Sequence, residues 1–461
     1  MKSMFSSTIA AVSTPRGRGG IAVIRVSGDD SIAICDKFVA AREPLEKTES
    51  RRAVLGKITG AHGEILDEGI ITVFRAPHSY TGEDTVEISC HGGEVLCREI
   101  LARAYECGAV PATAGEFTRR AFSAGKLSLT EAEAVIGMID AKSTAALSLS
   151  RKNLDGELSA ELEKIYEKIR EVVGSVYAGI DFPDEDLETL DEDGMARGID
   201  EVTAALEKLG ASYRAGHAVC EGVRTVICGK PNTGKSTLLN LICGKDRAIV
   251  TATPGTTRDV ISESVVVGDV TLDMRDTAGI RETDDEVERL GVLRALDEVK
   301  NCELLIAVFD TSRPLDSEDE KVIAAAKDAE NGGAAVIYVM SKADLGKVAD
   351  TSDIDNKENA VSISAKDAGS KAILSNLINK LFVSGALDGD GGAIVTNARQ
   401  HASVLRALGF CKSARAALDT LGVDIAGSEL ERAMSEISEL DGREVGVDVV
   451  NEIFGKFCVG K

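Results

Sequence analysis

The chain has 461 residues, more than one hydrophobic core can organise, so we expect about two to four domains. Hydrophobic residues make up 44% and charged residues 28% of the chain, which is typical of a soluble globular protein. A net charge of −23 disfavours a protein that binds nucleic acid over its whole surface, but it allows a local basic patch or a partner that carries the basic surface.

We find no sequence signal that predicts targeting to a membrane or to an oxidising compartment. No apolar run approaches the roughly 18 residues of a membrane span, and the run at residues 9–12 is too short for a signal peptide. The ten cysteines include no C-x-x-C pair, which argues against zinc and disulfides and predicts free thiols in the cytoplasm. Cys458 stands at the prenylation position, but the residues after it are wrong for a lipid anchor.

The first 122 residues predict a small domain with strands and helices. Strand-like runs lie at residues 21–26, 69–74 and 84–90, and a helical pattern follows at residues 94–107. This mixture predicts an α/β or α+β domain at residues 1–122.

Residues 123–220 change to a helical pattern. Thr130 is predicted as the N-cap of a helix, because a glutamate follows in the first turn. A second helix is predicted over residues 154–176, and the acidic run at residues 181–186 is predicted as a solvated loop between helices.

Residues 221–385 alternate strands with helices, which predicts a doubly wound parallel sheet. Strands after the first are expected at residues 262–267, 270–274, 304–309, 335–340 and 361–364. A linker is expected at residues 387–393.

Residues 386–461 are helical again, and one predicted helix face carries Leu430, Ala433, Met434, Ile437 and Leu440. The simplest arrangement is one helical domain in two segments, 123–220 and 386–461, with the α/β domain inserted between them. The expected fold is therefore multidomain.

A phosphate-binding loop is predicted at residues 229–236, which match G-x-x-x-x-G-K-[ST] at every fixed position. An apolar run precedes the loop and an apolar helix follows it, so the alternative of a plain strand–helix turn is weak. Glycines let backbone N–H groups face an anion, and the helix N-terminus adds its dipole. Lys235 is expected to reach the β- and γ-phosphates, and the Ser236 hydroxyl to bind Mg²⁺.

The remaining motifs of a GTPase follow in order. Residues 255–259 supply a threonine for Mg²⁺ and the γ-phosphate, Asp276 is expected to hold Mg²⁺ through water, and the Gly279 N–H is expected to contact the γ-phosphate. Asp344 is expected to accept both guanine N–H groups, and residues 364–366 to place a backbone N–H at the guanine carbonyl. The predicted GTP-binding residues are Asn232, Thr233, Gly234, Lys235, Ser236, Thr237, Thr251, Thr256, Thr257, Asp276, Thr277, Ala278, Gly279, Ser341, Lys342, Asp344, Ser364, Ala365 and Lys366.

Two positions depart from the usual GTPase pattern. Ser341 stands where GTPases usually have asparagine, and the loss of one hydrogen bond is expected to weaken guanine affinity by ~1 kcal/mol. Ile280 stands where many GTPases carry the glutamine that orients the attacking water. Asn232 is therefore a candidate to hold a monovalent cation against the phosphates, and Glu288 to orient the water. The alternative for Glu288 is an exposed helix carboxylate.

The motifs together resemble the MnmE (TrmE) family of tRNA-modification GTPases, in the TrmE-Era-EngA-like superfamily. The resemblance spans nearly the whole chain. It includes the motifs at residues 8–11, 14–20, 24–28, 80–84, 91–93, 115–122 and 125–134, and the C-terminal residues 457–461.

The resemblance implies an N-terminal folate-binding domain that also dimerises, a split helical domain and an inserted G domain. It implies a potassium-activated GTPase that acts with a flavin-dependent partner, MnmG (GidA). The pair would place an aminomethyl or carboxymethylaminomethyl group on C5 of the wobble uridine of certain tRNAs. The one-carbon donor would be 5,10-methylene- or 5-formyl-tetrahydrofolate. The alternatives are a ribosome-assembly GTPase switch without modification chemistry and a dimeric scaffold whose domain spacing is set by GTP.

The resemblance also assigns residues to ligands. Arg25, Glu87, Lys126 and Lys461 match folate-contacting positions, although each of the first three has a structural alternative as a surface charge or an edge-strand carboxylate. Ser236 and Thr257 match the Mg²⁺ ligands, Asn232, Thr251, Thr253 and Thr256 match the K⁺ ligands, and Glu288 matches the hydrolysis carboxylate. Cys458 is either a nucleophile near the one-carbon site or a small packed residue.

Overall fold

A computed structural model of the chain describes residues 7–181, 191–243, 263–274, 299–355, 357–364, 366–367, 369–383 and 392–461. The chain divides into two compact units. Unit 1 combines the two ends of the chain, Met1–Ile136 and Ser435–Lys461, and unit 2 comprises Gly137–Met434. Among the described helices, none is both long and apolar enough to cross a membrane.

Unit 1 contains a seven-stranded sheet. Its strands are β1 (Ile9–Val12), β2 (Ile21–Ser27), β3 (Val39–Ala41), β4 (Ala53–Thr59), β5 (Ile65–Phe74), β6 (Thr85–His91) and β7 (Val110–Pro111). Their order is β3-β4-β5-β6-β2-β1-β7, and every pair is antiparallel except β1 with β7. The strands predicted at residues 21–26, 69–74 and 84–90 are confirmed.

Side-chain alternation on β2 and β6 separates a core from a polar site. Ile24 and Ile88 are fully buried in the core of unit 1. Because successive side chains of a strand point to opposite faces, the neighbouring Arg25 and Glu87 lie on the other face, and the antiparallel register places them opposite each other.

Both chain segments of unit 1 contribute helices to it. They are α1 (Ser31–Asp36), α2 (Glu94–Glu106), α3 (Glu116–Ser123) and most of α4 (Leu129–Asp140), and, after the second unit, the end of α13 (Val423–Asp441) and α14 (Val447–Gly455). The helix predicted at residues 94–107 is confirmed. On α13, Leu430, Ala433, Ile437 and Leu440 are buried and Met434 is half-buried, as its pattern predicts.

The predicted N-cap of α4 is wrong. Ser128, not Thr130, caps the helix: the Glu131 N–H donates to Ser128 Oγ (3.2 Å) and the Ser128 N–H donates to Glu131 Oε2 (2.9 Å). This reciprocal pair is a capping box with S-x-x-E spacing. Thr130 is instead a buried residue whose hydroxyl donates to Asp441 Oδ1 (3.1 Å).

The helical part of unit 2 consists of α5 (Thr144–Leu154), α6 (Glu157–Asp181), α7 (Glu192–Cys220) and α12 (Ala398–Thr420). The helix predicted from residue 154 begins at Glu157, because the chain turns at Gly156 with a φ of 89°. α12 packs along α7, with ion pairs from Lys412 to Glu207 (2.7 Å) and from Arg415 to Asp200 (3.3 Å). Residues 182–186 of the acidic run and 387–391 of the linker lie outside the described residues.

The second sheet, in unit 2, has six strands within the described part of the chain. They are β8 (Val223–Cys228), β9 (Glu263–Val267), β10 (Val270–Met274), β11 (Leu304–Asp310), β12 (Ala335–Ser341) and β13 (Ala360–Ser362), in the order β13-β12-β11-β8-β10-β9. Among the residues that the structure describes in this region, the helices between and after these strands are α8 (Lys235–Cys243), α9 (Ser317–Asn331), α10 (Ser352–Asp355) and α11 (Ser370–Phe382). The predicted strands of this region are confirmed within two residues at each end.

The prediction of a wholly parallel sheet is wrong at one edge. β9 pairs antiparallel to β10. Only Gly268 and Asp269 connect the two strands, and Gly268 has a φ of 64°. A two-residue connection makes a hairpin, since a parallel crossover needs a dozen or more residues.

The parallel strands are covered on both faces. Leu304, Ile306 and Val308 of β11 belong to the core shared with α8 and α11, whereas Leu305 and Phe309 belong to the core shared with α9. The sheet is therefore doubly wound. In such sheets ligands bind beyond the carboxyl ends of the strands, which is where β8 leads into the predicted phosphate loop and β12 into Lys342 and Asp344.

Candidate functional site

The predicted phosphate loop joins β8 to α8 and contains two residues in the left-handed region. Asn232 has a φ of 62° and Gly234 a φ of 99°. Glycine adopts this conformation freely and asparagine is among the side chains that tolerate it. The buried Thr233 between them donates its hydroxyl hydrogen to the Lys230 carbonyl (2.9 Å). The loop is therefore folded tightly on itself.

Lys235 holds a positive charge at this loop. Its Nζ donates to the carbonyls of Gly229 (2.9 Å) and Lys230 (2.8 Å). Lys235, Ser236 and Thr237 form the first turn of α8, where the helix dipole favours an anion. An ammonium group and a helix N-terminus at one glycine loop are suited to the phosphates of a nucleotide.

Lys230 anchors the loop to a neighbouring helix, and sequence reasoning missed it. Its buried ammonium group pairs with Asp316 Oδ2 (2.7 Å) and with Asp319 Oδ2. Asp316 and Asp319 are also the capping box of α9. The D-x-x-D spacing predicts the start of that helix, but no local signal indicates that these two carboxylates pair with a lysine of the phosphate loop.

Ser341 and Lys342 follow the carboxyl end of β12. The buried Ser341 hydroxyl lies 2.5 Å from the Thr233 carbonyl and 3.0 Å from the Phe309 carbonyl. Lys342, with a φ of 58°, pairs with Asp310 Oδ2 (2.7 Å). The structure therefore joins the predicted base-recognition segment to the phosphate loop.

Asp344 and the segment around Ser364 also lie together. Lys366 Nζ lies 2.7 Å from Asp344 Oδ2, and the Ser364 hydroxyl donates to Asp344 Oδ1 (2.9 Å). These contacts, with Lys366 as the larger cause, hold the pKa of Asp344 below its ordinary value. Asp344 is therefore an anion at neutral pH, which suits an acceptor for the two N–H groups of guanine.

Part of the predicted nucleotide site lies outside the described residues. This holds for Thr251, Thr253, Thr256, Thr257, Asp276, Thr277, Ala278, Gly279, Ile280, Glu288 and Ala365. Of the predicted metal ligands, Asn232 and Ser236 are described, and their amide and hydroxyl oxygens are ligands that hard cations such as Mg²⁺ and K⁺ accept.

Unit 1 contains a second polar cluster, on β2 and β6. Arg25 and Glu87 form a two-point ion pair, with Nη2 2.8 Å and Nε 2.9 Å from Glu87 Oε1. The Arg25 guanidinium also lies 5.3 Å from the ring centre of Tyr80 and 5.4 Å from that of Phe117. A charged pair flanked by aromatic rings is suited to a ligand that is both aromatic and charged.

The other two predicted folate residues lie next to the same aromatic residues. Lys126 Nζ donates to the carbonyls of Pro77 (3.0 Å) and Ser79, directly before Tyr80. Burial, with a smaller contribution from Arg51, lowers the pKa of Lys126. The Lys461 carbonyl accepts a hydrogen bond from the Phe117 N–H (3.2 Å). The structure thus brings Arg25, Glu87, Lys126 and Lys461 into one region of unit 1.

The C-terminal residues are held in unit 1 by their backbone. Val459 forms a β-bridge with Ala114, and the Cys458 carbonyl accepts a hydrogen bond from the Gly115 N–H (3.4 Å). The Cys458 side chain is exposed, so it is not a packed core residue.

A buried charge network next to this region was also missed from the sequence. Arg120 pairs with Glu83 (3.1 Å) and Glu116 (2.8 Å), and Glu83 accepts a hydrogen bond from Ser27 (2.9 Å). Burial tends to raise the pKa of Glu116, but hydrogen bonds from Thr113 and Arg120 outweigh it and lower the pKa. These residues lie inside family motifs, but only the fold shows that Ser27, Glu83 and Arg120 are buried together and that the half-buried Glu116 pairs with Arg120.

An open cavity of about 470 Å³ lies beside Lys126 in unit 1. It is lined by Phe122, Gly125, Lys126, Leu127, Ser128, Glu131, Asp441, Gly442 and Arg443. Residues from both ends of the chain therefore form its wall.

Two family models match the chain, one over its N-terminal part and one over the remainder. Residues 8–126 match the family described as the GTP-binding protein TrmE N-terminus, and residues 129–458 match the MnmE helical domain.

Full-length relatives carry the same family name. The chain is 37% identical to the tRNA modification GTPase MnmE of Symbiobacterium thermophilum over 464 residues, which covers 99% of this chain and 100% of the relative. It is 38% identical to that of Carboxydothermus hydrogenoformans over 467 residues (99% and 100%). It is 39% identical to that of Thermotoga maritima over 464 residues (98% and 100%).

Solved structures of other GTP-binding proteins are less similar. A variant of Aquifex aeolicus Era bound to GDP·AlF4⁻ is 22% identical, with a TM-score of 0.26, over 41% of this chain and 66% of that chain. The G domain of the T. maritima FeoB iron transporter is 21% identical, with a TM-score of 0.25, over 34% and 97%. The assignment therefore rests on the family matches and the full-length relatives, and the chain belongs to the MnmE (TrmE) family of tRNA modification GTPases.

Proposed function

We propose that the chain is a potassium-activated GTPase that acts with a flavin-dependent partner. Together they modify C5 of the wobble uridine of certain tRNAs to an aminomethyl or carboxymethylaminomethyl derivative. The observation that carries this proposal is the cluster of Arg25, Glu87, Lys126 and Lys461 around Tyr80 and Phe117, because a simple GTPase switch has no need of a site for an aromatic anion.

The proposed nucleotide site divides its tasks among residues of unit 2. Asp344 accepts hydrogen bonds from guanine, and the phosphate loop with Lys235 binds the phosphates. Ser236 and Thr257 would hold Mg²⁺, which would supply positive charge to the phosphates. Glu288 orients the attacking water, since Ile280 has no group that is able to do so.

Potassium is proposed at Asn232. The left-handed backbone of this residue lies in the phosphate loop, two residues before Gly234, and its amide oxygen is a ligand that a monovalent cation accepts. Thr251, Thr253 and Thr256 complete the proposed set of ligands. The cation supplies positive charge at the phosphates, as an arginine finger does in other GTPases.

Tetrahydrofolate is proposed for unit 1, as the 5,10-methylene or 5-formyl derivative. Glu87 accepts hydrogen bonds from the N–H donors of the pterin, and Arg25, Lys126 and Lys461 bind the anionic glutamyl tail. The folate supplies the one-carbon unit. The exposed thiol of Cys458 lies on the same C-terminal segment as Lys461, and a nucleophilic role for it is part of the proposal.

The proposed assembly is a homodimer that joins the flavin-dependent, MnmG-type partner in a heterotetramer in the cytoplasm. The net charge of −23 favours a partner that supplies much of the basic surface for tRNA.

Reconstitution tests the proposed function directly. The purified chain, an MnmG-type partner, GTP, a folate donor and unmodified tRNA are combined, and the wobble nucleoside is identified by mass spectrometry. We expect modification by the native chain. We expect none by the Arg25→Gln variant, which should retain GTP hydrolysis, whereas Arg52→Gln, at an exposed position of the same unit, should behave as the native chain. Modification without folate, or by Arg25→Gln at the native rate, would contradict the folate assignment.

Hydrolysis rates test the potassium proposal separately. GTP turnover should be much faster in K⁺ than in Na⁺ at equal ionic strength, and Asn232→Ala should remove this difference. Equal rates in the two salts for the native chain would exclude a cation role for Asn232.

A further inference from the structure

The hydroxyl of Ser341 has a single hydrogen, and its surroundings determine where that hydrogen points. Ser341 Oγ lies 2.5 Å from the Thr233 carbonyl oxygen and 3.0 Å from the Phe309 carbonyl oxygen. Both oxygens only accept hydrogen bonds. The hydrogen is therefore donated to the backbone whichever carbonyl receives it.

Guanine requires a donor for recognition of its N7 edge. N7 and O6 are both acceptors. An asparagine amide has two donor hydrogens, so it is able to donate to a backbone carbonyl and to the base at the same time. A serine hydroxyl has one hydrogen and donates to only one of them. Ser341 is buried, with 6% of its surface exposed, and its hydrogen is already committed. It cannot donate to N7 without giving up its backbone contact.

The backbone contact joins three elements of the nucleotide site. Thr233 belongs to the phosphate loop and precedes Gly234, whose φ is 99°. Phe309 lies on β11 and Ser341 ends β12. The Ser341 carbonyl in turn accepts a hydrogen bond from the Thr311 hydroxyl (3.0 Å). Ser341 thus fixes the phosphate loop to the carboxyl ends of two strands.

We propose that Ser341 is a positioning residue for the phosphate loop and that this GTPase does not recognise N7 of its nucleotide. Base selection then depends on the N1–H and 2-amino groups, from which Asp344 accepts hydrogen bonds, and on the guanine carbonyl, where residues 364–366 are expected to place a backbone N–H. The ligands of the site are guanine nucleotides in general, including those in which a C–H replaces N7. This inference rests on the proposed guanine site at Asp344.

Competition binding with the native chain tests the N7 part of the proposal. GTP, 7-deaza-GTP and ATP are each used to displace a fluorescent GDP analogue. We expect 7-deaza-GTP to bind within about three-fold of GTP, because a typical hydrogen bond contributes about five-fold in affinity. A larger preference for GTP over 7-deaza-GTP would overturn the proposal. If ATP bound as tightly as GTP, the guanine site itself would be wrong, and the inference would fail with it.

Two variants test the positioning part. Ser341→Ala should weaken the binding of GTP and of 7-deaza-GTP by the same factor of about five to ten. Ser341→Thr keeps the hydroxyl and should bind both nucleotides with the affinity of the native chain. A loss confined to GTP would show that Ser341 reads the base, and no loss for either nucleotide would show that it does not position the loop. The native measurement decides the N7 question even if Ser341→Ala does not fold.

Discussion

At the residue scale, Lys230 shows how a buried charge fixes the predicted phosphate loop. Its side chain is 4% exposed and its ammonium group contacts Asp316 and Asp319, of which Asp319 is 1% exposed. Removing one member of a buried ion pair leaves the other charge without compensation. The lysine at this variable position of the loop motif therefore has a structural task that the motif does not show.

Lys230→Met should destabilise unit 2 and weaken GTP binding. We expect a loss of about 2–3 kcal/mol in the free energy of unfolding, because the Asp319 carboxylate stays buried without its partner. Thermal unfolding and nucleotide titration measure the two effects. Lys321→Met, at an exposed position of α9, is the matched control, and equal behaviour of the two variants would contradict the anchoring role.

At the element scale, the C-terminal segment depends on one glycine. Gly460 has a φ of 104°, and a Cβ at this position would lie 2.1 Å from the Val12 carbonyl oxygen of β1. A side chain there forces Lys461 and Cys458 away from β1 and α3. The proposed folate region therefore requires glycine at this position.

Gly460→Ala should weaken tetrahydrofolate binding at least ten-fold while leaving GTP hydrolysis unchanged. Isothermal titration with 5-formyl-tetrahydrofolate measures the affinity. Gly455→Ala is the control, because a Cβ at Gly455 meets no atom within 4 Å. Native folate affinity in Gly460→Ala would show that the C-terminal segment takes no part in the site.

A charged network joins the end of α7 to the sheet of unit 2. His217 lies 2.8 Å from Glu221 Oε2 and 3.0 Å from Glu303 Oε1, and Arg224 pairs with Glu303 (3.0 Å). Burial tends to lower the pKa of His217, but the hydrogen bonds with Glu221 and Glu303 raise it from 6.5 to about 9. The protonated imidazole is therefore the form that stabilises the fold.

The contribution of His217 to stability should depend on pH. Because its folded pKa is raised, the stabilisation is complete below pH 6.5 and is lost as the pH rises towards about 9. The melting temperature of His217→Gln should fall furthest below that of the native chain near pH 6, and the difference should shrink above pH 9. The exposed His62→Gln serves as control, and a difference that grew with pH would contradict the assignment.

The two sheets differ in how far local sequence predicted them. In the sheet of unit 1, β2 and β6 are predicted within one residue at each end and β5 without its first four residues, whereas β1, β3, β4 and β7 are not predicted. The strands of the second sheet are predicted because each carries a short apolar run. The direction of β9 is not predicted correctly, because the apolar pattern of a buried strand is the same in either direction. Only the two-residue turn at Gly268 indicates that β9 is antiparallel to β10. The cap at Ser128 was missed although its S-x-x-E spacing was present, because Thr130 stood closer to the apolar run.

At the scale of the whole molecule, the sequence predicts the family, which the full-length relatives confirm, and it proposes residues for each site. It does not predict the long-range contacts that hold those residues in place. Lys230 and Asp319 are 89 positions apart, Arg120 and Glu83 are 37 apart, and Gly460 contacts β1 at the other end of the chain. Such contacts depend on the fold rather than on local spacing. The family motifs predict functional positions, and the structure shows the charges that lie beside them.

Nucleoside analysis of tRNA from a strain that lacks this chain is the decisive test of the proposed modification of the wobble uridine. We expect that wobble uridines normally carrying the aminomethyl or carboxymethylaminomethyl group will lack it at C5 in this strain. We also expect the native gene to restore the group and the Arg25→Gln variant not to restore it. Unchanged wobble uridines in the deletion strain would contradict the proposed function and would favour a GTPase switch without modification chemistry.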